Sequence, residues 1–494
     1  MTTVVRGTSS LASGTKVDME ANTSLSIGDI VYTSGYDEEG DGGDNTYEIV
    51  AAGTGTDDGG SFIDLAGSGL QAKGLFPGGI YRPEHWGAQV GQPSSSAFQA
   101  AFDFGVARLH GLAVTYTFDT AVTLTEGQGF VGSGAARLSG PIYSGTVLTT
   151  ALDINIFVCD NRYTHLSGFA YINTGSSTKA GIECTDNKAY FNSFEDLISD
   201  GFKYGVQGER TLYQTHTRCN YDDCEIGANY IGASGTWNTD WFNNTLTFTD
   251  CTFRRNTTKG AFIKGVGVTF NGEPDCSSCP IGIEIEGEST GSRAHDITII
   301  GLYSESTNNP IKATYADVTL VGGFMQGQGS PVAGDQPFLL DDATVTIEGK
   351  LGGQDLWDTW ATLTNGSILK QDEDVFFGIS GALSTKVSLD STSELRINSA
   401  RSERTTSNIA SAGTEDLFTP DLGAAYMVTA SSTTLGNVYW AGVVQRSGSS
   451  TTLRITAIHS DDITMNDNSG VLQIQNDNGS ANTFEWAYTK MQGR

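Results

Sequence analysis

A spacing of apolar or small residues at 0, +3, +5 and +8 recurs through the middle of the chain and constrains its fold more than any other feature. It fits Phe194, Leu197, Ser199 and Phe202, then His216, Cys219, Tyr221 and Cys224. It fits again at Phe248, Cys251, Phe253 and Asn256, and in a polar version at Phe270, Glu273, Asp275 and Ser278. Later copies run Ile297, Ile300, Leu302, Glu305 and Val318, Val321, Gly323, Gln326, and an earlier one runs Tyr163, Leu166, Gly168, Tyr171. The copies start 31, 22, 32, 22, 27 and 21 residues apart. A short motif that persists while the intervening length varies describes a solenoid with loops on its turns. Glycines at 205, 227, 260 and 282 follow the turn, and a coil of about 22 residues suits a right-handed parallel β-helix.

Composition agrees with an all-β chain. Glycine supplies 62 of the 494 residues and proline only 10, so turns are plentiful and a collagen or proline-rich linker is excluded. The 28 Lys and Arg against 57 Asp and Glu give a net charge of −29, which argues against nucleic acid or an anionic membrane as partner. No apolar run approaches the roughly 18 residues of a membrane span. The first twenty residues lack the basic start and apolar core of a secretory signal, so synthesis and folding in a cytoplasm are expected. Seven cysteines, an odd number at low density, fit reduced thiols better than a disulfide framework.

Four segments are expected. Residues 1–84 read as a small β-rich domain, with Asp-Gly turns at Gly40-Asp41-Gly42-Gly43 and Asp57-Asp58-Gly59-Gly60 ahead of Thr46–Val50 and Ser61–Leu65. Residues 85–370 read as the β-helix, opened by a helix over 94–110 that has Ser94–Ser96 as caps and Phe98, Ala101, Phe102, Gly105, Val106 and Leu109 on one face. Residues 371–404 read as a polar connector. The strand-like runs from 405 to 494 read as an antiparallel β-sandwich.

On these residues the sequence resembles bacteriophage tailspikes of the pectate-lyase-like superfamily. Gly35-Tyr36, Gly40–Gly43 and Asp58-Gly59-Gly60 are similar to the N-terminal module that precedes such β-helices. His85-Trp86-Gly87-Ala88, the helix with Ala100-Ala101, and Gly132-Ser133-Gly134 resemble the opening of the β-helix; the usual acidic pairs before the helix are replaced by Gln89–Ser94. Gly301-Leu302-Tyr303-Ser304-Glu305 is similar to a motif of late coils, and Leu417–Pro420 leading into Tyr426-Met427-Val428 resembles the C-terminal domain of phage fibres. The resemblance implies a homotrimer in the virion tail, joined to tail adaptor or tube proteins by its N-terminal module. It also implies a β-helix that meets host surface polysaccharide, and a C-terminal domain for trimerisation or binding. No cofactor or metal is implied.

Equivalent positions on successive coils lie one strand spacing apart, about 4.8 Å. At +2 the column is Asp196, Arg218, Asp250, a surface salt-bridge ladder. At +6 it is Asp200, Asp222, Arg254, Cys276, Tyr303, and at +7 Gly201, Asp223, Arg255, Ser277, Ser304. Asp200, Asp222 and Asp223 are therefore the candidate catalytic carboxylates, since neighbouring carboxylates raise one pKa and glycoside hydrolysis needs an acid and a base or nucleophile. Arg254, Arg255, Tyr303 and Glu305 are candidate substrate-binding residues. So are Trp237 and Trp241, whose rings in the longest coil insertion would stack on sugars, with Asn238 and Asp240 beside them. Glu195, Glu225, Glu273, Asp275 and Glu305 are alternative carboxylates. Cys276 and Cys279 have the spacing of half a metal knuckle but no second pair, and His216 occupies a slot otherwise filled by Phe, so both read as core. The expected function is depolymerisation of host polysaccharide by hydrolysis. A lyase using Arg254, Arg255 or Tyr303 and a non-enzymatic adhesin or structural fibre are the alternatives.

Overall fold

The computed structural model describes residues 11–140, 142–185, 189–232, 243–327, 335–354 and 361–371 continuously, and from there to Met491 a series of strands. It divides into two compact units, residues 1–312 and 313–494.

The first unit opens with a mixed five-stranded sheet in the order Leu11–Ser13, Ile30–Thr33, Asn45–Val50, Leu70–Gly74, Phe62–Leu65. Alternation along Asn45–Val50 sends Tyr47 and Ile49 into a core with Met19, Val31, Ile63, Leu65 and Ala72. The acidic turns are built by side-chain caps: the Asp41 carboxylate accepts the backbone N–H groups of Tyr36, Asp37, Glu38 and Gly43, and Asp58 accepts those of Gly60, Ser61 and Phe62.

The helix expected over 94–110 spans Ser95–Asp103 and buries Phe98, Ala101 and Phe102. It is shorter because Gly105 takes φ +98° and ends it, after which Arg108–His110 is already a strand. Parallel pairing then stacks Thr115–Thr117, Val147–Thr150, His165–Asn173, Ser193–Asp200, Leu212–Thr217, Asn243–Thr249, Thr269–Asn271 and Ala294–Glu305 in one sheet. A second parallel sheet stacks Val122–Thr123, Phe157–Val158, Ala180–Cys184, Tyr204–Glu209, Ile226–Ile231, Lys259–Ile263 and Ile281–Glu286. Chain order alternates between the two, which is the winding of a parallel β-helix.

The register follows the motif through four copies: Phe194 pairs with His216, His216 with Phe248, and Phe248 with Phe270. Their rings stack inside the solenoid at 4.8, 4.5 and 4.8 Å. His216 is fully buried here, and burial lowers its pKa to about 3. Asn256 fits an apolar slot because its amide spans two coils, accepting from Cys224 N at 2.8 Å and donating to Tyr221 O at 2.9 Å. All seven cysteines are free and buried. The glycine column is steric: a Cβ on Gly205, Gly227 or Gly260 would meet the carbonyl of the next glycine within 2.6 Å.

Three copies depart from their expected positions, two at the start and one by an internal insertion. The earliest begins at Leu166, which pairs with Phe194, whereas Tyr163 is an exposed corner residue at φ +59°. The late copy begins at Ile299, which pairs with Phe270, and buries Leu302, Ser304 and Thr307. The polar copy holds one extra residue, since Asp275 bridges to Thr252 and Tyr303, so Cys276 and Cys279 are the buried positions rather than Asp275 and Ser278. The left-handed backbone of Glu273, at φ +60°, absorbs that residue.

In the second unit, Ala316–Gln326, Thr344–Gln354, Ile368–Gln371 and Glu394–Ile397 form one parallel column, and Phe338–Asp341, Ala361–Thr364 and Val387–Leu389 another. Two of these strands, Val387–Leu389 and Glu394–Ile397, lie within 371–404, the expected connector. The C-terminal strands form an antiparallel five-stranded sheet, Glu403–Ile409, Asn482–Met491, Ala425–Ser432, Tyr439–Arg446, Leu453–Ser460, and a three-stranded one, Thr414–Phe418, Val471–Asn476, Ile463–Asn468.

Candidate functional site

The +2, +7 and −3 columns are the corners of the coil. Asp196, Arg218 and Asp250 have φ of +53°, +51° and +53°, and Asp223 and Arg255 have +55° and +56°. A left-handed residue between two short strands turns the chain and throws its side chain outward. At the first corner Arg218 binds Asp196 at 2.7 Å and Glu195 at 2.5 Å, in the open, so this part of the +2 column is a solvated ion cluster of small energetic weight.

The next corner differs because an antiparallel hairpin, Ala135–Ser139 with Ile142–Gly145, folds over it. Ala135 and Tyr143 pack on Val147, Ala170, Ile172 and Ile198, an apolar patch on the outside of the coils. Arg137 and Tyr143 are cross-strand partners, with the guanidinium 5.7 Å from the ring centre. That register delivers both to the carboxylates. The Tyr143 hydroxyl donates to Asp200 Oδ2 at 2.5 Å, Arg137 Nη1 donates to Asp223, and Arg137 Nη2 lies 3.7 Å from Asp200 Oδ2.

Asp222 is 1% exposed and fully engaged. Its Oδ1 accepts from the backbone N of Arg254 at 2.8 Å and from Thr252 Oγ1 at 2.9 Å. Its Oδ2 accepts from Arg254 Nη2 at 3.0 Å and Arg255 Nη2 at 3.2 Å. Arg255 also holds Asp223 through Nε at 3.0 Å and Nη2 at 2.8 Å. Asp222 thus anchors the two arginines, and Arg255 orients Asp223.

The two flanking carboxyls are displaced oppositely. Burial, reinforced by the Asp223 charge, raises the Asp200 pKa against the opposing hydrogen bond from Tyr143. Burial also acts to raise Asp223, but hydrogen bonds from Arg255 and Arg137 outweigh it and hold Asp223 below the usual carboxylate range. Side-chain exposures of 16% and 24% leave both reachable at the hairpin's edge.

The structure therefore gathers Asp200, Asp222, Asp223, Arg254 and Arg255, all legible as neighbours from the repeat. The extra residue in the Phe270 copy brings Ser277 into line with Arg254 in place of Cys276, and the start of the next copy at Ile299 brings Glu305 there in place of Tyr303. The Tyr303 hydroxyl donates to Glu305 Oε1 at 2.6 Å, and the Glu305 N–H, on the third coil beyond Asp223, donates to Ser277 Oγ. Asp275 lies 3.9 Å from Arg254 Nε and accepts from Ser277 Oγ. Trp237, Trp241, Asn238 and Asp240 lie outside the described residues. Arg137 and Tyr143 were missed: they stand outside the repeat, and the only signal was a pair of alternating runs around Ser139-Gly140.

No family model and no curated protein matches the chain. Several solved structures share its architecture. The gp42 tailspike of Acinetobacter phage vb_AbaP_AS12 is 15% identical, with 98% of this chain and 94% of that one covered at a TM-score of 0.59. The enzymatically active domain of tailspike protein 2 of bacteriophage CBA120 is 12% identical, with coverages of 97% and 86% and a TM-score of 0.62. The tailspike of Acinetobacter phage vB_ApiP_P1 is 16% identical, with coverages of 97% and 98% and a TM-score of 0.51. At such identities the likeness is one of fold: a parallel β-helix of the kind found in phage tailspikes.

Proposed function

We propose that this chain, built on the fold of phage tailspikes, binds a bacterial surface polysaccharide and cleaves it by glycoside hydrolysis at Asp200 and Asp223. The observation that carries the reading is the opposed displacement of two adjacent carboxyls around one guanidinium. Asp200, the carboxyl whose pKa is raised, donates a proton to the glycosidic oxygen as the C–O bond breaks. Asp223, kept ionised, takes a proton from the water that bonds to the sugar carbon, or bonds to that carbon first. Arg137 spans the pair and must yield to the sugar, while Asp222 and Arg255 act as positioning residues.

The ion pairs favour hydrolysis over elimination. A lyase needs a free cation for the uronate and a base beside it, but Arg254 and Arg255 are committed to Asp222 and Asp223. The Tyr143 phenol is pushed up by burial and by its bond to Asp200, which makes it a poor base at neutral pH. The CBA120 neighbour is an enzymatically active domain, which supports an enzyme rather than an inert fibre. A homotrimer, attachment to phage tail proteins through the N-terminal sheet and a place in the virion tail belong to the same proposal. So does a role of the C-terminal strands in assembly or binding.

The test is incubation with surface polysaccharides purified from Acinetobacter and Escherichia coli strains. New reducing ends without the ultraviolet absorbance of an unsaturated uronate are expected, and Asp200→Asn and Asp223→Asn should abolish them. Absorbance growing with the reducing ends would replace hydrolysis by elimination. Binding with no cleavage would leave an adhesin.

A further inference from the structure

A different corner of the first unit carries three aromatic rings in the open. Tyr163, Phe191 and Tyr213 occupy equivalent positions on successive coils at φ of +59°, +57° and +54°, a region that bulky residues rarely adopt. Their rings are parallel, with centres 5.4 and 4.9 Å apart, and are 54%, 46% and 49% exposed. The corner does not require aromatics, since Thr245 and Gly267 hold the same conformation at φ +56° and +64° in later coils.

The outer face of the stack is uncovered. On the coil before Tyr163 the corner residue is Gly127, whose N–H reaches the Arg162 carbonyl as the N–H of Tyr163 reaches that of Tyr190. A Cβ on Gly127 would meet nothing within 4 Å, and Tyr163 on the next coil is 54% exposed. Two cations lie close by in the strand register, Arg162 next to Tyr163 in the chain and Arg108 paired with Gly129, which pairs with His165. Arg162 is exposed, with its guanidinium 5.4 Å from the Tyr190 ring centre. Arg108 is exposed and extends across Gly129, where its Nη1 would lie 2.9 Å from an added Cβ, and its charge lowers the pKa of His165 beside burial. Neither arginine forms an ion pair among the described residues, in a chain of 57 acidic and 28 basic side chains.

We propose that this corner is a second, non-catalytic saccharide site that takes a ring of an acidic polysaccharide. The sugar lies on the free face of Tyr163, and its carboxylate meets Arg108 and Arg162. Phe191 and Tyr213 hold the Tyr163 ring flat and extend an apolar strip along the coils. The site precedes the motif's first strand whereas Asp200 and Asp223 follow its second, so one polymer would be held at two corners. This rests on the reading that the chain binds a polysaccharide.

Affinity electrophoresis through gels containing the same Acinetobacter and Escherichia coli polysaccharides tests it. Wild type should be retarded by at least one acidic polymer. Tyr163→Ala should weaken that retardation roughly two- to tenfold, the worth of one aromatic stacking contact. Tyr163→Phe, which keeps the ring, should restore it. Arg162→Gln should weaken binding and flatten its salt dependence. Tyr213→Ala, at the end that faces Thr245, should lose less than Tyr163→Ala, with melting curves showing each variant folded. Wild-type binding by folded Tyr163→Ala, or equal losses in the two tyrosine variants, overturns this site and leaves the acid–base pair standing. Retention by neutral polymers alone overturns the acidic class. No retention of wild type by any polymer overturns both proposals.

Discussion

Asp200 and Asp223 share the guanidinium of Arg137, yet the first carboxyl is held above its ordinary pKa and the second below it. Desolvation decides for Asp200, for which Tyr143 is the close donor among the described residues. Charge decides for Asp223, which has two arginines. The two carboxyls of one corner are thereby displaced in opposite directions.

The rate of polysaccharide cleavage should accordingly follow a bell in pH. The alkaline limb reports loss of the Asp200 proton, and the acid limb protonation of Asp223. Asp200→Asn and Asp223→Asn should each lower kcat by about 100-fold or more, measured by reducing-end release.

Tyr143→Phe removes the hydrogen bond that stabilises ionised Asp200. The Asp200 pKa should rise further, and the alkaline limb of kcat/KM should move to higher pH while the acid limb stays in place. A shift to lower pH would show that Tyr143 does not act through Asp200.

His216 closes a chain of buried polar groups. Its Nδ1 meets the Tyr221 hydroxyl at 2.6 Å and its Nε2 the Tyr230 hydroxyl at 2.7 Å, which donates to Gln214 Oε1 at 2.8 Å. His216→Phe fits the ring stack but strands the buried Tyr221 hydroxyl and leaves that of Tyr230 with Gln214 alone, at a cost of about 1–3 kcal/mol. The folded pKa of about 3 lies below the unfolded value near 6.5. The imidazole therefore contributes stability that is complete above about pH 6.5 and is lost as pH falls towards 3. Melting midpoints of wild type and His216→Phe should converge as pH falls through that window.

Glu84 should oppose this trend. Its carboxyl is buried, accepts from the Tyr116 hydroxyl through Oε1, and leaves Oε2 without a hydrogen-bond partner; burial pushes its pKa up to about 7. A folded pKa above the unfolded value near 4.3 means the folded state retains the proton longer. The resulting stability is complete below about pH 4.3 and lost as pH rises to about 7. Glu84→Gln, which keeps an acceptor for Tyr116, should remove that decline and melt higher than wild type above pH 7.

The sequence by itself determined the coil. Inward positions at 0, +3, +5 and +8 are fixed by local geometry, because each side chain's direction depends only on its place between two corners. The column of Phe194, His216, Phe248 and Phe270 and the clustering of Asp200, Asp222 and Asp223 with Arg254 and Arg255 were therefore legible. Register was not legible where one residue was inserted, as at Glu273, because a left-handed corner hides an extra residue without changing the apolar pattern. Only the tertiary structure decided what each carboxylate became. Asp222 and Asp223 are neighbours in sequence, but one is buried under two arginines and the other faces a hairpin some 80 residues earlier in the chain. Burial and the charges gathered from distant segments set a carboxyl's protonation, and neither is written in the spacing of a repeat.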